Sequence, residues 1–216
     1  MDVNHLVEIV STHAIPVLFA ITLHEAAHGY VARHFGDMTA YAQGRVSLNP
    51  VRHIDWLGTL VVPLLILLLS QGRFLFGWAK PVPVNYSALR SPKRHMLWVA
   101  AAGPASNLAM ALGWALLLKI ALWMPASFFS VPLRLMCEAG IYVNLIFLFL
   151  NLLPILPLDG GRILASLLPN RVAWQYSKLE PWGLPLLILL LFTNVLDLVL
   201  GPLLGMSGAL IRTLVH

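Results

Sequence analysis

Residues 96–123 read MLWVAAAGPASNLAMALGWALLLKIALW, with Lys119 as the single charged side chain. A helix crossing a bilayer needs about 20 mostly apolar residues. The hydrocarbon layer offers no partner for a free backbone N–H or C=O, so the segment must satisfy its own. This run meets the requirement with length to spare, and segments 6–32, 135–156 and 184–204 read as further spans. The run 57–70 (LGTLVVPLLILLLS) is shorter and holds Pro63, which predicts a re-entrant segment in place of a crossing. Stretch 74–85 (FLFGWAKPVPVN) alternates Val82 and Val84 with prolines, which predicts an extended edge or hairpin at the interface or lining a cavity. The expected fold is an all-α polytopic membrane protein with about four full transmembrane helices, a re-entrant segment and a short extended element.

Composition points the same way. Of 216 residues, 59% are apolar and 11% charged, and the mean hydropathy is +0.80. An ordinary soluble domain carries about 25% charged residues, so this chain has too few polar side chains to cover a surface facing water. That excludes a soluble enzyme, a disordered chain and a nucleic-acid-binding domain, and makes the lipid bilayer the expected surroundings. Cys137 is the lone cysteine, so neither an internal disulfide nor a Cys-rich zinc site is expected. Asp2 and Glu8 stand where a signal peptide would carry basic residues, so none is expected. Residues 1–216 read as one membrane-embedded domain with a core over 6–165 and an added span at 184–204. The tail 205–216 is too short to cross. The number of copies in the assembly is not encoded in these patterns.

Ten of the fourteen Lys and Arg residues fall in 33–56, 80–95 and 162–178. The positive-inside rule places all three stretches on the cytoplasmic side of a multi-pass cell-membrane protein, provided that 57–79 enters and returns without a net crossing.

Inside the first span stands His24-Glu25-Ala26-Ala27-His28. Positions i and i+4 share one helix face, so both imidazoles can reach one zinc ion, with Glu25 set to take a proton from the attacking water. Three ionisable groups within five residues of a span are costly unless a strong interaction compensates them, and such groups mark function. A catalytic zinc wants a third protein ligand. His34, six residues beyond His28, lacks the glycine turn that would bring it back and is expected at the helix end. Asp159 stands out among the acids because Pro154, Pro157, Gly160 and Gly161 around it break the span and suit a polar cavity. A turn that merely ends the helix is its other reading. Gly103 and Gly113 are expected to permit close helix packing.

The motifs HEAAHGYVARHFGD (24–37) and NLLPILPLDGGR (151–162), in that order, resemble the site-2 protease family of intramembrane zinc metalloproteases. AAGPASN (101–107) is similar to that family's glycine-and-proline motif, and GRVSLNP (44–50) with FGWAKPVPVN (76–85) to its compact bacterial and archaeal members; the likeness covers roughly 20–165. The resemblance implies one Zn2+ per chain held by His24, His28 and Asp159, with Glu25 as general base. It implies that Asn151 steadies the substrate carbonyl or oxyanion and that Asn107 supports the substrate site. Many relatives carry a PDZ or CBS domain, for which this chain has no room.

The function expected is regulated intramembrane proteolysis of a membrane-spanning or membrane-anchored protein, with the active site towards the cytoplasm. An extended substrate would join Val82 and Val84 by strand addition. A metal-ion transporter using the same His, Glu and Asp cluster is the competing class. Glu25 separates the two: a Glu25→Gln protein that keeps zinc but cannot cleave supports the protease, and zinc flux that survives the change supports transport. A metal-binding scaffold without turnover gives no reason for the glutamate.

Overall fold

The computed structural model describes residues 3–62, 65, 80–125, 127 and 129–215, and every regular element among them is helical. The α-helices are α1 (Val3–His34), α2 (Thr39–Ala42), α3 (Pro92–Trp123), α4 (Ser130–Asn151), α5 (Asp159–Leu167), α6 (Asn170–Ser177), α7 (Glu180–Phe192) and α8 (Val195–Val215). Short 3-10 turns cover Pro50–Arg52 and Tyr86–Ala88, and a π-helical turn covers Trp56–Val61. Of the described helices, three are long and apolar enough to cross a membrane: α3, α4 and α8. At 32 residues α1 has the length, but His13, His24, Glu25 and His28 dilute its apolar character.

The expected span at 184–204 is not one helix. The chain stops at Phe192, turns at Thr193–Asn194 and restarts at Val195. Asn194 takes φ 57°, a left-handed conformation that asparagine tolerates better than most residues. Thr193 Oγ1 donates to Leu189 O at 2.8 Å, and Asp197 N donates to Asn194 O at 3.2 Å. The long helix is α8, and it absorbs 205–215, the stretch expected to be a non-crossing tail. A hydropathy window runs straight through such a turn because neither proline nor glycine marks it.

The extended reading of 74–85 can be examined over 80–85, where the chain is non-helical and pairs with no strand among the described residues. Its donors instead meet single acceptors on neighbouring elements: Lys80 N to His53 O at 2.9 Å, Val82 N to Glu25 Oε2 at 2.7 Å and Asn85 N to Asp37 Oδ2 at 2.6 Å. Residues 74–79 lie outside the described residues, as do 63, 64 and 66–70 of the expected re-entrant run.

Helix α3 is the hub, packed against α1, α4 and α5. Ala111, Ala115 and Leu118 of α3 meet Cys137, Ile141, Leu145 and Leu148 of α4 and Ile211 and Val215 of α8 in one apolar cluster. The α3–α4 approach is close. A Cβ on Gly140 would lie 2.4 Å from the Trp114 ring, so only glycine fits. A second cluster joins Ala32 of α1, Leu89, and Met96 and Val99 of α3.

The three basic stretches meet at one end of the bundle. Arg90 caps α1 by donating to His34 O at 2.6 Å, satisfying a carbonyl that the last helical turn leaves open. Lys93 Nζ donates to Leu168 O at the end of α5 and to Asn170 Oδ1 at 2.9 Å.

Candidate metal centre

Two helices and one broken turn build the site. His24 and His28 sit on consecutive turns of α1 and project from one face, as their spacing requires; both are buried. Asp159 is the first residue of α5. The chain leaves α4 at Asn151, passes Pro154 and Pro157, and turns back so that α5 starts against the turn it has just made. That return depends on glycine. A Cβ on Gly160 would lie 2.3 Å from Leu152 O, and one on Gly161 2.6 Å from Leu156 N. The Asp-Gly-Gly sequence is therefore a device for seating one carboxylate deep in the bundle.

The three side chains converge. His24 Nε2 lies 3.1 Å and His28 Nε2 3.3 Å from Asp159 Oδ2, and the two Nε2 atoms are 3.1 Å apart. They form a group of ligand-type atoms able to hold one metal ion. Bonds of about 2.0 Å at tetrahedral angles set ligand atoms about 3.3 Å apart, which is the spacing seen here.

Hydrogen bonds behind the rings decide which atoms carry protons. His28 Nδ1 lies 2.7 Å from Val99 O. A carbonyl only accepts, so Nδ1 donates and Nε2 of the neutral ring is left with a bare lone pair. His24 Nδ1 lies 2.6 Å from Asn107 Oδ1. The Asn107 amide cannot be reversed, since its Nδ2 donates to Ala20 O at 3.3 Å and to Asn144 Oδ1 at 3.0 Å. Thus His24 also donates from Nδ1 and presents a bare Nε2. Asp159 Oδ2 is buried with no hydrogen-bond donor. Two lone pairs and a carboxylate oxygen facing one another repel unless a cation lies among them. This donor set of two imidazoles and one carboxylate is a zinc-binding set that leaves a fourth position open.

Room for that cation comes from α3. A Cβ on Gly103 would lie 2.5 Å from His28 Nε2 and 2.6 Å from His24 Nε2. Gly103 therefore forms the floor of the centre, a different place from the helix-packing role expected of it.

Glu25 is half-buried beside the ligands, and its Oε2 accepts the Val82 N–H. Val82 is buried, and its Cγ1 would lie 3.2 Å from a Cβ on Gly29, one residue past His28. Val84 packs with Val31 and Phe35 against the second apolar cluster. The non-helical residues 80–85 thus run along α1 at the level of the HEAAH motif.

Two expected site residues are held by protein partners. Asn107 is fully buried and holds His24 from behind, so it offers no surface to a substrate. The Asn151 amide donates to Phe147 O at 3.0 Å, one turn back on its own helix. His34 is exposed at the end of α1, where it is expected, and packs edge-on to Phe35. His13 Nδ1 lies 2.9 Å from Thr12 Oγ1. Asn144 escaped the sequence reading, although a buried asparagine within a span is a signal in itself, and Asp37 reads there only as a loop acid. Asp37 accepts from Thr39 N at 2.9 Å and from Asn85 N, tying residues 80–85 to the end of α1.

No family model matches the chain, and no solved structure matches it. Curated proteins do. The chain is 40% identical over 195 residues to the Bacillus subtilis (strain 168) protein named "Putative zinc metalloprotease YwhC", covering 88% of this chain and 84% of that one. It is 31% identical over 182 residues to "Putative zinc metalloprotease Rip2" of Mycolicibacterium smegmatis, covering 83% of this chain and 66% of that one. Against the protein of the same name from Mycobacterium tuberculosis (strain ATCC 25618 / H37Rv) the identity is 30% over 184 residues, with the same coverage.

Proposed function

The chain belongs to the site-2 protease family of zinc metalloproteases, and from that premise we propose that it hydrolyses a peptide bond of a membrane-spanning or membrane-anchored protein within the bilayer. Its centre would be His24, His28 and Asp159, and its base Glu25. The observation that carries this reading is the meeting of two bare imidazole nitrogens and one donor-less carboxylate oxygen, one helical residue away from a glutamate.

Zinc, when bound, supplies Lewis acidity that brings the pKa of a water towards about 7 and stabilises oxyanion charge. The chain's own groups do the rest. Glu25 accepts the proton of the attacking water at a carboxylate oxygen and returns it to the leaving amine. General base catalysis of this kind contributes about 10²–10⁴-fold. The donor now on Oε2 is the Val82 N–H, which holds the carboxylate in place and keeps residues 80–85 beside it. A substrate helix hides its scissile carbonyl in its own hydrogen bonds, so it must unwind before attack. An unwound segment can pair alongside Val82 and Val84, where the chain is non-helical with no strand partner among the described residues. Asn151 gives one Nδ2 hydrogen to Phe147 O and would offer its second to the developing oxyanion. The shared end of the three basic stretches favours a cytoplasmic location for the site, and regulated intramembrane proteolysis is the process that such a placement serves.

The test is Glu25→Gln in purified protein with a model transmembrane substrate. We expect stoichiometric zinc and a loss of cleavage of at least 100-fold. Cleavage at the wild-type rate, or a wild-type protein that binds no zinc, overturns the reading. Zinc flux in liposomes that survives the change, without proteolysis by the wild type, would move the assignment to transport, which the metalloprotease names of the relatives do not favour.

A further inference from the structure

Behind His24 runs a chain of amides that ends a full helix away from the centre. Gly140 O accepts from Asn144 Nδ2 at 2.8 Å; Asn144 Oδ1 accepts from Asn107 Nδ2 at 3.0 Å; Asn107 Oδ1 accepts from His24 Nδ1 at 2.6 Å. Both asparagines are fully buried, and they sit on α3 and α4. Each link has a direction, and the direction comes from the far end. Gly140 O is a backbone carbonyl and can only accept, so the Asn144 amide must point its nitrogen there and its oxygen towards Asn107. Asn107 must then turn its nitrogen to Asn144 and Ala20 O, and its oxygen to the imidazole.

We propose that Asn144 is a positioning residue for the metal centre: by fixing the orientation of the Asn107 amide it sets the His24 tautomer and, through it, metal affinity. The argument rests on the zinc centre proposed above. Were the Asn107 amide reversed, its Nδ2 would face His24 Nδ1. The ring would then have to accept there and carry its proton on Nε2, the atom that must bind the metal. The reversed amide would also point its oxygen at Asn144 Oδ1 and Ala20 O, two acceptors. Ala20 O alone opposes the reversal through a long 3.3 Å contact, so Asn144 supplies the firmer restraint. Partners behind a metal-binding histidine are worth about 10–100-fold in affinity. Here that effect is relayed through one further amide, from a residue that touches neither the metal nor any of its ligands.

The experiment measures zinc affinity by competition with a chelator of known strength, on wild type, Asn144→Ala, Asn107→Ala and the double variant, each in the same lipid nanodiscs. Asn144→Ala is expected to weaken zinc about tenfold and Asn107→Ala by at least as much. The double variant should be no weaker than Asn107→Ala alone, because Asn144 has nothing left to orient. A residue that merely helps α3 pack on α4 would cost the same in both backgrounds, and that additive result overturns the proposal, as does unaltered affinity in Asn144→Ala. Should Asn144→Ala fail to fold, Asn144→Ser carries the cycle. The ring itself gives a second readout. In zinc-free wild type, ¹⁵N spectra of His24 should show the proton on Nδ1, and in Asn144→Ala a mixture of the two tautomers; a single Nδ1–H form in both refutes the relay. Failure of the wild type to bind zinc would sink the centre itself and is read separately from these outcomes.

Discussion

Adding one methyl group to Gly103 should empty the metal centre while leaving the helix that carries it intact. An alanine Cβ at this position would stand 2.5 Å from His28 Nε2 and 2.6 Å from both Nε2 and Cε1 of His24. Ordinary contact begins near 3.4 Å, so the His28 ring must retreat by about 0.9 Å and the His24 ring by about 0.8 Å. Metal–ligand distances hold to about 0.2 Å, and the rings cannot rotate away cheaply because Val99 O and Asn107 Oδ1 hold their Nδ1 atoms. A retreat about four times the tolerance, forced on two of three ligands, should weaken zinc by at least 100-fold, or about 2.8 kcal/mol at 1.4 kcal/mol per decade. Overpacking of the zinc-free bundle should cost about 1–3 kcal/mol more. Chelator competition on Gly103→Ala reads the first quantity, and thermal unfolding of the metal-free protein reads the second. Gly113→Ala is the matched control. It lies on the same helix, and its Cβ would meet nothing within 4 Å, so it should bind zinc as wild type does and gain about 0.5–1 kcal/mol of helix stability. If Gly103→Ala holds zinc within threefold of wild type, the floor of the centre is not where the structure places it.

Other expectations concern the elements around the site. Val82→Pro removes the N–H that Glu25 Oε2 accepts; cleavage should fall about tenfold or more with zinc content unchanged, and full activity would end any role for 80–85 in the reaction. Asp37→Asn leaves one of two backbone donors, Thr39 N or Asn85 N, without an acceptor. Denaturant titration should show a loss of about 1–3 kcal/mol, and an unchanged midpoint would mean that the loop is held elsewhere. Asn194 turns the chain in left-handed backbone, so Asn194→Val should cost about 1–2 kcal/mol while Asn194→Gly is tolerated. Equal thermal midpoints for the two variants would place the break between α7 and α8 on other residues.

The parts of this protein that are legible without coordinates are those where lipid leaves few options. A long apolar run must be helical, and 96–123 and most of 135–156 form the interiors of α3 and α4. Three ionisable side chains within five residues of the first span must be compensated, and the carboxylate that meets the two imidazoles is the one at the broken Asp159 turn. The failures share a cause as well. The turn at Thr193–Asn194 carries no strong breaker, so its apolar flanks blurred into one segment. Gly103 reads like any small residue in a span; that it faces two imidazoles depends on the rotation of α3, which an almost uniformly apolar helix does not reveal. Stretch 80–85 is non-helical, and its partners are not legible in the sequence, because its acceptors are carboxylates and a carbonyl scattered over 25, 37 and 53, a pattern without period.

Asn107 and Asn144 show what finer reading of a span can recover. A neutral amide costs less in lipid than a charge, so it attracts less notice, yet its burial without partners is still prohibitive. Each asparagine brings two donors and an acceptor to be matched. Asn107 matches all three through His24, Ala20 O and Asn144, while Asn144 places one donor on Gly140 O and its acceptor on Asn107. The matching spans α1, α3 and α4 in a fixed order, so these two residues define how three helices are rotated about their axes. The same bonds that choose the histidine tautomer therefore set the packing register. Mutations here should disturb zinc affinity and helix arrangement together, with the tautomer of His24 as the observable that tells the two apart.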